Sequence, residues 1–367
     1  MTGLLTALGG ADTSLAGGLP TRNVRRSSRN DPAQGGCQRR DPAPGGLREH
    51  RAREHWSNGF CVTRTRKILI NLFFIVDGKK LQAQAYFLAT SILEHMAGKC
   101  RYLAYVRPGT RLPASLEELF EKAEISVKEI PGGDPDPWHK PYPIGNKLLA
   151  AADDRGGDMS VFLDTDTFFC ASVDFREELK NGTVGAVLSD YRCGALPDSG
   201  AWGKVYDFMG VDMPKERPGT LRRPNLDYPP YFNAGMVIFR ERIEGHDLRV
   251  GEEWLRMSLE MDREMELGDW HLNIDQITLS GLGARFGDPT RTMSQKLNYN
   301  IMGWGGPSDG GCAIVHYHVF GRIWKYPLLG RPLLDALRKH LGEQAFDAFV
   351  SEYRDHLYWR KARQMYR

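Results

Sequence analysis

Nowhere in the sequence does an apolar run reach the roughly 18 residues that a membrane-spanning helix needs, so no transmembrane segment is expected. The opening residues, Met1 to Leu8, lack the basic stretch and sustained apolar stretch of a secretory signal, and the expectation is a cytoplasmic protein. Six cysteines are spread over the chain (Cys37, Cys61, Cys100, Cys170, Cys193, Cys312) with no CxxC pair, which argues against a zinc ribbon or a dense disulfide scaffold and for reduced thiols. An excess of basic charge is also missing. Lysine and arginine number 49 against 46 aspartate and glutamate, too even a balance to point to nucleic acid as a partner. What is present is a globular composition: 367 residues, 41% of them hydrophobic, enough for one large domain or two small ones.

Residues 1–66 are rich in Gly, Pro, Ser and Arg and show neither a helical nor a strand period, so this basic segment is expected to be disordered. Its arginines leave peripheral association with an anionic membrane surface open. From Lys67 the pattern changes. Residues 68–76 form an apolar run suited to a strand covered on both faces. Leu81, Ala85, Leu88, Ile92 and Leu93 then recur at helical spacing, and strands are expected over residues 102–106 and 125–130 with a helix from Pro113 to about Ala123 between them. This βαβαβ alternation implies an α/β fold with a mainly parallel sheet flanked by helices. A turn-rich stretch at 131–137 leads to a helix containing Lys147. Further strands are expected at 159–163, 183–188, 231–240 and 313–318, with helices at 254–261 and 272–282. Residues 67–330 thus read as one domain, and 331–367 as a C-terminal helical extension.

Asp164 and Asp166 fall where the strand at 159–163 runs out, and in open α/β sheets ligands bind outside the carboxyl ends of strands. Two carboxylates one residue apart on a stiff strand end can present oxygens to Mg²⁺ or Mn²⁺, with phosphate oxygens completing the coordination. The same pair could equally cap a helix or turn, so it carries little weight alone.

Several motifs accompany it in order: Val161-Phe-Leu-Asp-Thr-Asp166, Pro230-Tyr-Phe-Asn-Ala-Gly-Met-Val-Ile-Phe239, Asn273-Ile-Asp-Gln276, Leu297-Asn-Tyr-Asn300 and Ile314-Val-His-Tyr-His318. Over residues 67–326 this set resembles the glycosyltransferases of the GT-A fold, and within them the retaining family 8 group of glycogenin and the bacterial galactosyltransferases. The resemblance implies a Rossmann-like nucleotide-diphospho-sugar transferase that moves a hexose from a nucleotide-sugar donor, UDP-linked in that group, to a glycan, lipid or protein acceptor with retention, using Mn²⁺ or Mg²⁺. It implies Asp164 and Asp166 as the metal pair, Asp164 also near the donor ribose, and a histidine after the last strand as third ligand. His316 and His318 both qualify, because alternation would put them on one face of an extended segment. Asn233, Ala234 and Gly235 resemble the sugar-facing turn, although the start of a strand would explain them too. Asp275 and Gln276 resemble the pair beside the anomeric carbon, and they also sit where a helix begins. Lys147 matches a donor-contacting basic residue or else a solvated helix lysine. In the family's closing His-Phe-x-Gly-x-x-Lys pattern the register slips here, so either Arg322 or Lys325 is the candidate for the diphosphate. An inverting enzyme would need a carboxylate base, with Asp269 or Asp275 available.

Two rivals exist. Phe162-Leu-Asp-Thr-Asp-Thr167 also satisfies the Asp-x-Asp-x-Thr opening of haloacid-dehalogenase phosphatases, with Asp164 as nucleophile and Asp166 as acid, but these need a downstream acidic pair for which Gly287-Asp288 is the near match. A non-catalytic sugar-nucleotide-binding protein is the other. Trp202, Trp254, Trp270, Trp304 and Trp324 could stack on sugar rings, though tryptophan is more often core.

Overall fold

A computed structural model describes residues 68–132, 137–307 and 311–359, and the expectation of disorder over residues 1–66 lies outside them. Four strands, Ile70–Ile75 (β1), Arg101–Val106 (β2), Ile125–Glu129 (β3) and Met159–Leu163 (β4), run parallel in the order β3-β2-β1-β4. The intervening helices are Gly78–His95 (α1), Ala114–Lys122 (α2) and Asn146–Ala151 (α3). The chain continues through Thr167–Phe169 (β5), Phe175–Leu179 (α4), Val184–Leu188 (β6), Ser199–Phe208 (α5), Phe232–Arg240 (β7), Val250–Glu264 (α6) and Ile274–Leu282 (α7). It ends with Arg291–Thr292 (β8), Tyr299–Asn300 (β9), Ile301–Trp304 (α8), Ile314–His316 (β10), Phe320–Ile323 (α9), Pro327–Leu341 (α10) and Glu343–Glu352 (α11).

The large sheet has the order β3-β2-β1-β4-β7-β6-β8, and β7 alone runs against the other strands. A small sheet, β5-β10-β9, stands apart from it. The expected α/β architecture with a mainly parallel, helix-flanked sheet is what the chain forms. Every residue of β1 is buried, and alternation divides them: Leu72 and Phe74 join the core on one face, Phe73 and Ile75 the core on the other. Burying each such side chain is worth ~1.5–3 kcal/mol.

The helix α1 is buried on more sides than its spacing of apolar residues suggests, because α10 and α11 cover its outer face. Tyr86 packs on Phe349 at a ring-centroid distance of 4.5 Å, Phe87 on Phe320 at 5.0 Å, and the Tyr353 hydroxyl donates to Gln82 Oε1 at 3.1 Å. The start of α6 lies earlier than Trp254, at Val250, where Glu252 reaches back and accepts from the Arg249 N–H at 2.8 Å and from the Arg249 guanidinium at 2.7 Å. A strand expected through His318 stops at His316, since His318 adopts a left-handed backbone with φ of 57°. Among the described residues no helix is long and apolar enough to cross a membrane, and the described cysteines, Cys100, Cys170, Cys193 and Cys312, are free thiols.

Candidate active site

The strand order reverses direction between β1 and β4, and a crevice opens outside their carboxyl ends, where α/β sheets bind ligands. Asp164 leaves β4 there, its N–H donating to Gly235 O of β7 at 2.8 Å. The chain turns through Thr165, whose hydroxyl donates to Ile75 O, and enters β5. Antiparallel pairing of β5 with β10 sets Thr167 opposite His316, and the Tyr317 N–H donates to Asp166 O at 3.0 Å. Two segments far apart in sequence therefore deliver Asp166 and His316 to the same place.

Asp166, His316 and His318 offer one carboxylate oxygen and two imidazole nitrogens, all within 4.8 Å of one another. His316 Nε2 lies 3.2 Å from Asp166 Oδ1 and 3.9 Å from Asp164 Oδ2. The expectation that alternation aligns the two histidines is corrected here: the left-handed turn at His318 brings the rings together, with centroids 3.8 Å apart. Burial alone would raise the Asp166 carboxyl, but the charge and hydrogen bond of His316 hold it well below its ordinary value. Burial disfavours protonation of His316, yet Asp166 and then Asp164 raise it overall. Burial, with His316 beside it, pushes the His318 imidazole down to about 3, so it is neutral with a lone pair to offer. One carboxylate oxygen and two imidazole nitrogens form a donor set that can hold a divalent metal ion.

Asp164 is held differently. Lys147, buried in α3, sits 3.2 Å from Asp164 Oδ1 and 2.9 Å from Asp275 Oδ2, and its Nζ also points at Ala234 O at 3.5 Å. Burial works against the Lys147 charge, but the two carboxylates outweigh it and raise the lysine above its ordinary value. Burial raises the Asp164 carboxyl, and the opposing Lys147 does not fully offset this. Asp275 opens α7 and is 1% exposed; its Oδ1 accepts from the Tyr142 hydroxyl at 2.7 Å while its own N–H donates to that oxygen at 3.2 Å. This satisfies a buried carboxylate on both oxygens.

A third set of contacts orients His316. Its Nδ1 meets Asn298 Oδ1 at 2.9 Å, Asn298 Nδ2 donates to Asn233 Oδ1 at 2.8 Å, and the Gly235 N–H donates to the same Asn233 oxygen at 2.8 Å. Because an amide oxygen can only accept, Nδ1 of His316 carries the hydrogen and Nε2 faces Asp166.

These residues line a cavity of about 370 Å³ that includes Lys147, Asp164, Asp166, Asn233, Ala234, Gly235, Asp275, Gln276, His316 and His318. Arg322 and Lys325 are not part of its wall. Beyond the left-handed turn at His318 the chain folds into α9, which contains Arg322, and Lys325 is exposed past its end. Lys80 lines the cavity from the first turn of α1, and Ile75, Gln84 and Thr165 are also part of the wall. Sequence reasoning missed Lys80, Tyr142 and the role of Asn298; Lys80 left a signal in its place just after the carboxyl end of the first strand, and Asn298 in the Leu297–Asn300 motif. The side chain of Asp269 lies outside the described residues. Asp288, the near match for a phosphatase acidic pair, accepts from Thr183 N at 3.0 Å just before β6 begins, at the sheet edge opposite Asp164. Trp202, Trp254 and Trp324 are core residues, whereas Trp270 and Trp304 reach the surface.

No curated protein matches the chain. Similar solved structures include mouse xyloside xylosyltransferase 1, at 14% identity and a TM-score of 0.45, covering 68% of this chain and 98% of that one. The bifunctional glycosyltransferase WbbM is 13% identical with a TM-score of 0.48, covering 76% of this chain and 50% of its own. The galactosyltransferase LgtC, solved with donor and acceptor sugar analogues, is 13% identical with a TM-score of 0.44, covering 74% and 95%. The family of the Rhodobacterales glycosyltransferase domain matches residues 72–287, more than half of the sequence. The chain belongs to that family, and it is a glycosyltransferase.

Proposed function

We propose that the protein is a divalent-metal-dependent hexosyltransferase of the GT-A type that takes its sugar from a nucleotide diphosphate donor, UDP-linked, and transfers it with retention. The observation that carries the proposal is the convergence of Asp166, His316 and His318 within 4.8 Å on the wall of the cavity outside β1 and β4. These three would hold Mn²⁺ or Mg²⁺. When bound, the ion supplies Lewis-acid neutralisation of the charge on the departing diphosphate.

The protein's own groups do the rest. Lys80, on the same cavity wall and close enough to Asp166 and His318 to act on their charge, adds a positive charge there, a role that the sequence pattern assigned to Arg322 or Lys325. Lys147 positions Asp164 and Asp275 on either side of itself, Asp164 toward the donor ribose and Asp275 with Gln276 toward the sugar. The small side chain of Ala234 on the cavity wall leaves room for the hexose, while the space beside Gly235 is taken by the His316 ring. Retention is proposed on the resemblance to the family 8 group; Asp275, a candidate base for an inverting enzyme, is here held by Lys147 at 2.9 Å and by the Tyr142 hydroxyl at 2.7 Å. A cytoplasmic location and an acceptor outside the nucleic acids complete the reading.

A thermal-shift panel of nucleotide sugars with and without Mn²⁺ tests the proposal. A rise in melting temperature is expected only when Mn²⁺ and a UDP-sugar are both present, with slow release of UDP, and it should vanish in Asp166→Ala although that variant still folds. Undiminished metal-dependent stabilisation of Asp166→Ala, or no response to any donor, would sink it.

A further inference from the structure

A second cavity, of about 520 Å³, opens beside the first. Its wall includes Asp190, Tyr191, Arg192, Arg222 and Arg223, three guanidinium groups against one carboxylate. Asp190 follows β6, which runs in the same direction as β4, so it lies at the same edge of the sheet as Asp164. The two cavities are also linked through the small sheet. Asn300 is the register partner of His316, and the Asn300 side chain donates to Asp190 Oδ2.

The arginines are built into this wall in a particular way. The Arg222 guanidinium lies 5.3 Å from the Tyr191 ring centroid and 5.0 Å from that of Trp304. Cation–π contact with two rings holds the guanidinium in place, and its planar fork of N–H groups matches the oxygens of a carboxylate or phosphate. Among the described residues neither Arg222 nor Arg223 has an ion-pair partner. Asp190, the one acid nearby, is already engaged on both oxygens, by Trp304 Nε1 and Asn300 Nδ2. Gly303 leaves room for the arginine, since a Cβ there would come within 2.8 Å of Arg222 Nη2. Tyr191 and Trp304 are 62% and 38% exposed, and Trp270 rests on Gly194 at the rim, so flat aromatic surface suited to a sugar ring borders the charged groups.

We infer that this second cavity is the acceptor subsite and that it takes a sugar bearing an acid group, a carboxylate or a phosphate, with Arg222 as the group that recognises the acid. The word acceptor rests on the function proposed above; the binding of an acidic sugar does not.

Saturation-transfer NMR on the full chain tests this with methyl β-glucuronide, methyl β-glucoside and a glucose phosphate as probes. The acidic probes are expected to bind and the neutral glucoside not. Arg222→Gln should weaken the acidic probe by about tenfold or more, and Arg222→Lys, which keeps the charge but loses the planar fork, should restore only part of it. Binding of the glucose phosphate alone identifies phosphate as the acid and leaves the inference standing. Equal binding of the neutral glucoside, no binding of either acidic probe, or undiminished binding to Arg222→Gln overturns it. Asp166→Ala keeps the two readings apart: it should lose metal-dependent donor binding and retain the acidic probe.

Discussion

Gly235 and His316 touch across β7 and β10: a Cβ on Gly235 would fall 2.5 Å from Cε1 and 2.6 Å from Nδ1 of the imidazole. The ring occupies the place of the missing side chain. Gly235→Ala is therefore expected to push His316 out of line with Asp166 and His318 and to lower metal affinity by roughly 10–100-fold, with the fold retained. A Mn²⁺ titration read by thermal shift checks it; an unmoved midpoint contradicts the geometry.

Asn298 acts on the same ring through Nδ1. Its amide oxygen accepts from Nδ1, and its amide nitrogen ties it to Asn233. Without that acceptor the ring can turn or change tautomer, so Asn298→Ala should also cost roughly 10–100-fold in metal affinity while stability falls by only ~1 kcal/mol. Metal affinity equal to that of the unsubstituted protein would show that packing alone orients His316.

Tyr142 is expected to matter through Asp275. Its hydroxyl both donates to and accepts from that buried residue, at 2.7 and 3.2 Å. Tyr142→Phe leaves the carboxylate short of a partner and should cost ~1–3 kcal/mol in urea unfolding. If the unfolding midpoint does not change, Lys147 suffices to hold Asp275.

Glu253 provides a pH-dependent test of the fold. Burial would raise its carboxyl, but hydrogen bonds from Arg256 and Arg285, each at 2.8 Å, outweigh this and hold it below its ordinary value of 4.5. A value lowered on folding means that the unfolded chain takes up the proton first as pH falls. The contribution is thus complete above the ordinary carboxylate range and is lost as pH drops through the folded value. Glu253→Gln should destabilise the protein by ~1–3 kcal/mol at neutral pH, and the difference should shrink in acid. A difference that stays constant from neutral to acid pH would rule out this ion cluster as its source.

How much of this was legible in advance varied by residue. The strands β1 and β4 were plain from their apolar runs, and Asp164 and Asp166 from their place at the end of β4, because strand burial and strand ends are local properties. Lys147, Asp275 and Gln276 also reached the cavity. The short strands β5, β8 and β9 have two or three residues each, too few to show a period. The left-handed backbone at His318 broke the expected alternation, and nothing in a single sequence announces such a turn in a residue other than glycine. Tyr142 carries no motif of its own, and Asn298 stood in the Leu297–Asn300 motif with no role assigned; both matter through contacts with Asp275 and His316.

By itself, then, the chain of residues determined the α/β class, the order of its elements and the acidic pair at a strand end, since each follows from periodicity within a few consecutive residues. Only the tertiary structure decided which groups share a site: on the wall of one cavity it paired Asp164 with Lys147 and grouped Asp166 with two histidines. Pairings such as Thr167 with His316 depend on strand register between distant segments, and register is settled by packing across the whole sheet.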